Sequence, residues 1–322
     1  MRKQILTILR QNQGQLVSGE DLSRQFNISR TAIAKHIKAL REAGYIIEAS
    51  PKRGYKLIAA PDIANAAETT TYLPPDAPWL ITYLNEVDST NKQLRLAAEN
   101  SAPPYSVIIA ETQTAGQGRL DRGWYSPPGC SLYLSLLLKP PFAPQQAPHM
   151  TLLTAVAVQQ ALSQLGCDSR IKWPNDVLTP QHRKLCGIKC ELRADMDNIK
   201  WLIIGFGINI KNNFFPSPLD EVASSLLLET GNKYSTPQVA AACLTSFNKN
   251  YQLYLEQGFA PIRDQWLKFA VNIDKQVVIK DSSRSISGIA RGIDNYGCLL
   301  LEVDGQIQTI AAGDMLIEGD SI

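Results

Sequence analysis

Between residues 115 and 124 the chain reads AGQGRLDRGW, an interleaving of glycine, arginine and tryptophan that could hold an anion. Gly116 and Gly118 let backbone come close to a ligand and turn successive amides toward it. Arg119 and Arg122 add permanent charges whose planar forks suit phosphate, and Trp124 offers a face on which a ring can stack. No GKS or GKT follows, so this is not a Walker loop. A solvated glycine-arginine hairpin would read the same way, and the segment alone leaves both readings open.

Other short stretches carry similar potential. DSTN, residues 88–91, sets Asp88, Ser89, Thr90 and Asn91 at the start of a helix. There they either cap the free N–H groups or present hydroxyls and amides to a ligand. KWPND places Lys172, Asn175 and Asp176 around Pro174, which ends a strand in a turn. RKLCGIKCELR has period two, with Cys186, Ile188, Cys190 and Leu192 on one face and Leu185, Lys189 and Glu191 on the other. By that parity Lys184 falls on the apolar side, where it either snorkels outward or meets an anion. WLIIGFGINI reads as a buried strand followed by Gly205, Gly207 and Asn209.

The elements that must position these residues belong to a mixed α/β body. SVIIAET and CSLYLSLLL are buried strands flanking the glycine loop, and PHMTLLTAVAVQQALSQLG is a helix closed by Gly166. Residues 271–322 break into short strands (QVVIK, GCLLLEV, IQTIAA) separated by NYG and DG turns. Six cysteines show no pairing pattern, and the Cys186–Cys190 spacing matches neither zinc nor redox signatures, so reduced thiols are expected. At 322 residues and 44% hydrophobic composition the chain suits two or three domains. It has no run of membrane-spanning length and opens on a charged amphipathic stretch, from which a soluble, cytoplasmic protein without membrane contact is expected.

Net charge is only +2, yet residues 1–58 hold 11 Lys and Arg against 4 acids, leaving 21 bases and 26 acids beyond. A basic head on an acidic body points to nucleic acid at one end. In the head, Ile5, Leu6, Ile8 and Leu9 give a first helix that Gly14 ends, Ser18 caps a second with Asp21 as a capping-box variant, and Ser29 caps a third striped by Ile33, Ile37 and Leu40. Ser29, Arg30, Thr31, Lys35, Lys38 and Arg41 occupy the opposite face, in the manner of a recognition helix. YIIEASPKRGYKL adds two strands around a turn tipped by Lys52 and Arg53, a wing. A winged helix-turn-helix over 1–60, a connection over 61–78, a catalytic domain over 79–270 and a C-terminal domain over 271–322 follow.

DSTN, AGQGRLDRGW, KWPND, RKLCGIK and GFGIN, in this order and spacing over residues 88–209, resemble the biotin protein ligases, and the basic head makes the chain similar to the bifunctional ligases that repress the biotin operon. The resemblance implies a catalytic domain related to class II aminoacyl-tRNA synthetases and a C-terminal SH3-like β-barrel. It implies ATP and Mg2+ as co-reactants, biotinyl-5′-AMP as intermediate, and a lysine of the biotin carboxyl carrier protein of acetyl-CoA carboxylase as acceptor. The adenylate would also serve as corepressor of a homodimer on operator DNA.

Residue by residue, the resemblance places Ser89, Thr90, Asn91, Gln113, Gln117, Gly118, Arg119, Lys184 and Gly187 at biotin. Gly116, Gln117, Arg119, Arg122, Trp124, Lys172, Asn175, Asp176 and Asn209 would meet ATP or the adenylate, with Mg2+ near Asp176 brought by the nucleotide rather than held by protein ligands alone. Lys184 and Arg119 would be catalytic. Gln117 and Asp121 depart from the usual GRGR-like loop and remove one cation, and Glu318 stands where relatives often carry a base. Two other readings share much of this pattern: a biotin-sensing repressor without catalysis, and a lipoate-type ligase.

Overall fold

The computed structural model describes residues 1–12, 14–119, 122–280 and 285–317. The chain divides into two compact units, Met1–Ile63 and Ala64–Ile322.

In the first unit, α1 (Arg2–Gln11), α2 (Gly19–Phe26) and α3 (Arg30–Glu42) precede the antiparallel hairpin of β1 (Ile46–Ser50) and β2 (Gly54–Ala59). Ser18 caps α2 by accepting from Glu20 and Asp21 N–H, and Ser29 caps α3 by accepting from Ala32 N–H. Asp21 does not complete a capping box, because its carboxylate is taken by Arg24 at 2.8 Å. Ile5, Leu9, Leu22, Ile33, Ile37, Leu40 and Leu57 form the buried core. Gly54 is obligatory at the root of the wing: φ is +116° and an added Cβ would lie 2.0 Å from the Val17 carbonyl oxygen.

The second unit opens with the short helix α4 (Ala66–Thr69). Ala64 joins the unit's main core and Leu73 and Ala77 pack against it, so the stretch expected as a connection is partly packed. Next come β3 (Leu80–Val87), α5 (Thr90–Glu99), β4 (Ser106–Gln113), β5 (Ser131–Leu138), α6 (Ala147–Gln164), β6 (Arg170–Lys172), β7 (Asp176–Leu178), β8 (Lys184–Ala194) and β9 (Ile199–Asn209). They build a seven-stranded sheet ordered β3-β4-β5-β9-β8-β7-β6, in which only β3 and β4 run parallel. After β9 come α7 (Leu219–Val222), α8 (Leu226–Thr230), α9 (Thr236–Gln257) and α10 (Ala260–Phe269). Then β10 (Gln276–Lys280), β11 (Ser285–Ile293), β12 (Leu299–Val303), β13 (Gln306–Ile310) and β14 (Asp314–Ile317) form an antiparallel sheet ordered β13-β12-β11-β10-β14.

The large sheet uses its two faces differently. Leu132, Leu134 and Leu136 of β5 and Leu202, Ile204 and Ile208 of β9 are fully buried in the main core with residues of α6 and α9. On the other face α5 covers only one end, through Leu94, Ala98, Leu137, Trp201 and Ile203. Beyond α5 the same face carries Ser135, Gly205 and Lys189 side by side, then Tyr133, Gly207 and Gly187. The glycines there let Asn91 and Trp124 lie against the sheet, and both line a cavity. Among the described residues no helix is long and apolar enough to cross a membrane.

Candidate functional site

A cavity of about 350 Å³ lies over the glycine-rich part of the sheet. Ser89, Thr90, Asn91, Gln113, Gln117, Gly118, Arg119, Arg122, Trp124, Asn175, Asp176, Lys184, Gly187 and Asn209 all line it. Two expected residues stand apart from its wall. Gly116 packs behind it, where an added Cβ would lie 2.8 Å from Ser126 Oγ, and Lys172 ends β6 at the far edge of the sheet.

At one end, Ser89 occupies the N-cap position of α5 but its side chain makes no capping bond, so capping does not account for this polar cluster. Asp88 instead accepts from Ser89 N–H at 2.7 Å and Gln93 Nε2 at 2.9 Å and pairs with Lys92 at 2.6 Å. Lys92, Gln93 and the Ser89 amide hold its carboxyl down to about 2. Thr90 donates from both its N–H (2.9 Å) and its hydroxyl (3.2 Å) to Gln113 Oε1. Asn91 donates to Glu191 at 3.0 Å and accepts from Ser135 at 2.6 Å, which fixes both sides of its amide. It lies so close over Gly205 that a Cβ there would be 2.0 Å from Asn91 Oδ1. The cluster is a preorganised set of donors and acceptors for a polar head group.

At the other end stands Lys184, 2.7 Å from Asp176 Oδ1 and 5.5 Å from the centre of the Trp124 ring. Its direction corrects the parity expectation. Val177 pairs with Cys186 but Leu178 pairs with Lys184, so a bulge inserts one residue. Leu185 and Cys186 are both fully buried as a result, and Lys184 returns to the face of Gly187. Gly205 and Gly207 likewise do not follow the strand but lie inside β9, paired on both sides. Trp124 rests on this glycine floor: a Cβ on Gly207 would meet its Nε1 at 2.5 Å, and one on Gly187 its ring at 2.9 Å. Its buried indole N–H has no acceptor among the described residues.

The glycine loop is a small hairpin, closed by a Gln117–Gly123 bridge, by Gly118 N–H to Arg122 O at 2.7 Å and by Trp124 N–H to Gly116 O at 2.9 Å. Arg119 donates to Asn175 Oδ1 at 3.2 Å and to Gly313 O at 3.4 Å, and Arg122 pairs with Asp314. The loop is thereby tied to the C-terminal sheet. Asn209 spends its N–H groups on the carbonyls of Lys184 (3.3 Å) and Ser224 (3.0 Å), so only its oxygen is left for a ligand. Asp121 and Glu318, the departures noted in the sequence, lie outside the described residues.

Sequence reasoning missed Tyr125, Tyr133, Lys189, Phe215, Leu219, Val222, Ala223 and Asp314, which also line the cavity. Two phenylalanines in the polar stretch after β9 were the available signal for part of that wall. Burial pushes the Tyr133 hydroxyl well above its ordinary range, and it donates to Pro127 O at 2.9 Å. Burial also raises the thiols of Cys186, Cys190 and Cys243, the last two to about 12, so none of the three is a ready nucleophile.

In the head, Lys35, Lys38, Lys52 and Arg53 are exposed, whereas Arg30 pairs with Glu20. Arg41 is withdrawn from the cationic face, because it donates twice to the Ile47 carbonyl, at 2.9 and 2.6 Å.

Residues 1–56 match a helix-turn-helix domain, 83–209 the biotin/lipoate A/B protein ligase family and 273–317 the biotin protein ligase C-terminal domain. A ligase body with the cavity at its centre therefore carries a helix-turn-helix head and a C-terminal sheet domain. The bifunctional ligase/repressor BirA of Bacillus subtilis is 36% identical over 98% of each chain, and that of Escherichia coli is 33% identical over 94% of this chain and 93% of its own. Biotin protein ligase from Aquifex aeolicus, solved in complex with biotin and ATP, covers 74% of this chain and 98% of its own with a TM-score of 0.66 and 28% identity. The chain belongs to the bifunctional ligase/repressor family, whose enzymatic half is a biotin protein ligase.

Proposed function

We propose that the body joins biotin to ATP as biotinyl-5′-AMP and then passes biotin to a lysine of the biotin carboxyl carrier protein of acetyl-CoA carboxylase. The observation that carries this reading is the convergence, in one cavity, of the amide-hydroxyl cluster at Thr90 and Gln113 with the cationic end at Lys184, Arg119 and Trp124. A ureido head fits the first end and a carboxylate beside a nucleotide the second. In the first step a biotin carboxylate oxygen attacks the α-phosphorus, the bond to the bridging oxygen breaks and pyrophosphate leaves. In the second, the neutral carrier amine attacks the acyl carbon, AMP leaves and the nitrogen loses a proton.

Lys184 stabilises the charge that grows on the α-phosphate oxygens, a contribution made mainly in the transition state. Arg119 and Arg122 hold the glycine loop over the product and keep water from the mixed anhydride. Trp124 stacks on the adenine, and Asn175 orients Arg119. Mg2+ would arrive with the nucleotide phosphates, with Asp176 the nearest carboxylate. This donor set fits, since such sites use one or two carboxylates plus phosphate, and no cluster of three His, Cys, Asp or Glu is available among the described residues.

Ser29, Arg30, Thr31, Lys35 and Lys38 read the operator while Lys52 and Arg53 of the wing contact phosphate. The adenylate acts as corepressor of a homodimer in the cytoplasm. We take 1–60, 79–270 and 271–322 as the domains, the second related to class II aminoacyl-tRNA synthetases and the third an SH3-like barrel, a reading that five short antiparallel strands support. Incubation with ATP, biotin and an apo carrier domain tests the ligase: biotinylated carrier is expected, and its absence would sink the assignment. Lipoate in place of biotin should give no adenylate.

A further inference from the structure

Behind the amide-hydroxyl end of the cavity a chain of hydrogen bonds runs away from the cavity wall. Thr90, Asn91 and Gln113 line the cavity, whereas Ser135 and Glu191 stand behind them. Ser135 Oγ lies 2.6 Å from Asn91 Oδ1 and 2.8 Å from Thr90 Oγ1, and Asn91 Nδ2 lies 3.0 Å from Glu191 Oε1. Thr90, Asn91 and Ser135 are all buried, so bulk water does not stand in for a missing partner. The chain ends on a charge. Arg95 lies 3.5 Å from one oxygen of Glu191 and Lys189 3.7 Å from the other.

Each hydroxyl has one hydrogen to give, and that limit sets the direction of the chain. A carboxylate only accepts, so the Asn91 group facing Glu191 is its NH2 and the group facing Ser135 is its carbonyl. The Ser135 hydrogen is therefore spent on Asn91, and its oxygen is left to accept from Thr90. Gln113 is fixed separately: its NH2 donates to Ser126 Oγ at 3.3 Å, which turns its carbonyl oxygen to the Thr90 N–H at 2.9 Å. The Thr90 hydroxyl hydrogen thus has two destinations, Gln113 Oε1 at 3.2 Å and Ser135 Oγ at 2.8 Å. Turned to Ser135, it leaves Gln113 Oε1 and Thr90 Oγ1 each with a lone pair for an N–H donor in the cavity.

We propose that Glu191 is a positioning residue for the ureido head of biotin: through Asn91 and Ser135 it draws the Thr90 hydroxyl away from Gln113, so that Thr90 and Gln113 accept from ureido N–H groups. The proposal deepens the biotin-ligase reading of the cavity and rests on it. Without Glu191 the Asn91 amide can turn over and donate to Ser135. Ser135 then donates to Thr90, Thr90 donates to Gln113, and the acceptor meant for the ligand is consumed within the protein. Because the ureido ring takes no part in the chemistry, this arrangement strengthens binding equally before and during the reaction.

The test is calorimetric binding of biotin to the full chain together with the kinetics of pyrophosphate release. Glu191→Ala is expected to weaken biotin about 10- to 100-fold, as a mispaired buried polar group does, and to raise the KM for biotin while kcat and the KM for ATP stay nearly constant. A constant KM for ATP also shows that the variant is folded. Glu191→Gln, whose amide still offers an oxygen to Asn91, is expected to regain most of the loss. Ser135→Ala removes the middle of the chain and should weaken biotin similarly, even should Glu191→Ala fail to fold. The double variant should bind biotin no worse than the weaker single one, because both break the same chain. Additive losses, unchanged biotin affinity, a Gln variant as poor as the Ala variant, or a fall in kcat with the biotin KM preserved each overturns the role. If the wild-type chain bound no biotin, the ligase reading itself would fail.

Discussion

The two faces of the seven-stranded sheet are made from the same strands and do opposite work. On one, Leu134, Leu136, Ile204 and Ile208 alternate with the residues behind them and disappear into the core. On the other, Ser135, Gly205 and Gly207 occupy the intervening positions, and the two glycines let Asn91 and Trp124, which line the cavity, lie against the sheet. Stability and chemistry are thus separated by one residue of register, and a strand supplies both only if its alternation never slips. Where β8 does slip, at the bulge before Cys186, the displaced residue is Lys184, which thereby lines the cavity.

Substitutions on the two faces should therefore fail in different ways. The largest effect is expected for Lys184→Ala, about 100- to 1,000-fold on adenylate formation, with the melting temperature almost unmoved. Pyrophosphate release measures it, and near-normal turnover would remove Lys184 from the chemistry. Ile204→Ala, on the core face, should instead cost about 2–5 kcal/mol in denaturant unfolding while activity per folded molecule stays close to wild type. A lost activity without lost stability would erase the distinction between the faces. Gly207→Ala sharpens it, since its added methyl would displace Trp124. A misplacement of about 1 Å predicts adenylation slower by about 100-fold, with the fold intact by circular dichroism. The smallest effect belongs to Arg122→Ala, which breaks a surface ion pair with Asp314 and should change the KM for ATP by only about two- to fivefold.

Legibility followed the range of the interactions. The head's helices, its serine caps and its wing were readable because caps and periodicity act over a few residues. Most of the residues that line the cavity were readable as motifs, although none of them is adjacent in space for a reason contained in its own segment. The direction of Lys184 was not readable, since a bulge is decided by pairing with β7 and leaves the local sequence alternation looking regular. The placement of Gly205 and Gly207 within β9 was hidden for a similar reason: glycine signals a strand's end unless neighbours on both sides pair with it. Arg41 looked like part of the cationic face because its spacing is right, and only the fold shows the Ile47 carbonyl that takes it. Asp314 joins the cavity from a strand far along the chain, which no short motif could announce.

That last attachment has a consequence for synthesis. The loop that covers the site is fastened to Gly313 and Asp314, at the beginning of the last described strand. On the ribosome, where chains emerge from the N-terminus, the head and the sheet are complete well before this fastening exists. A molecule lacking these residues would keep the cavity floor formed by β5, β8 and β9 but lose the contacts of Arg119 and Arg122 with Gly313 and Asp314.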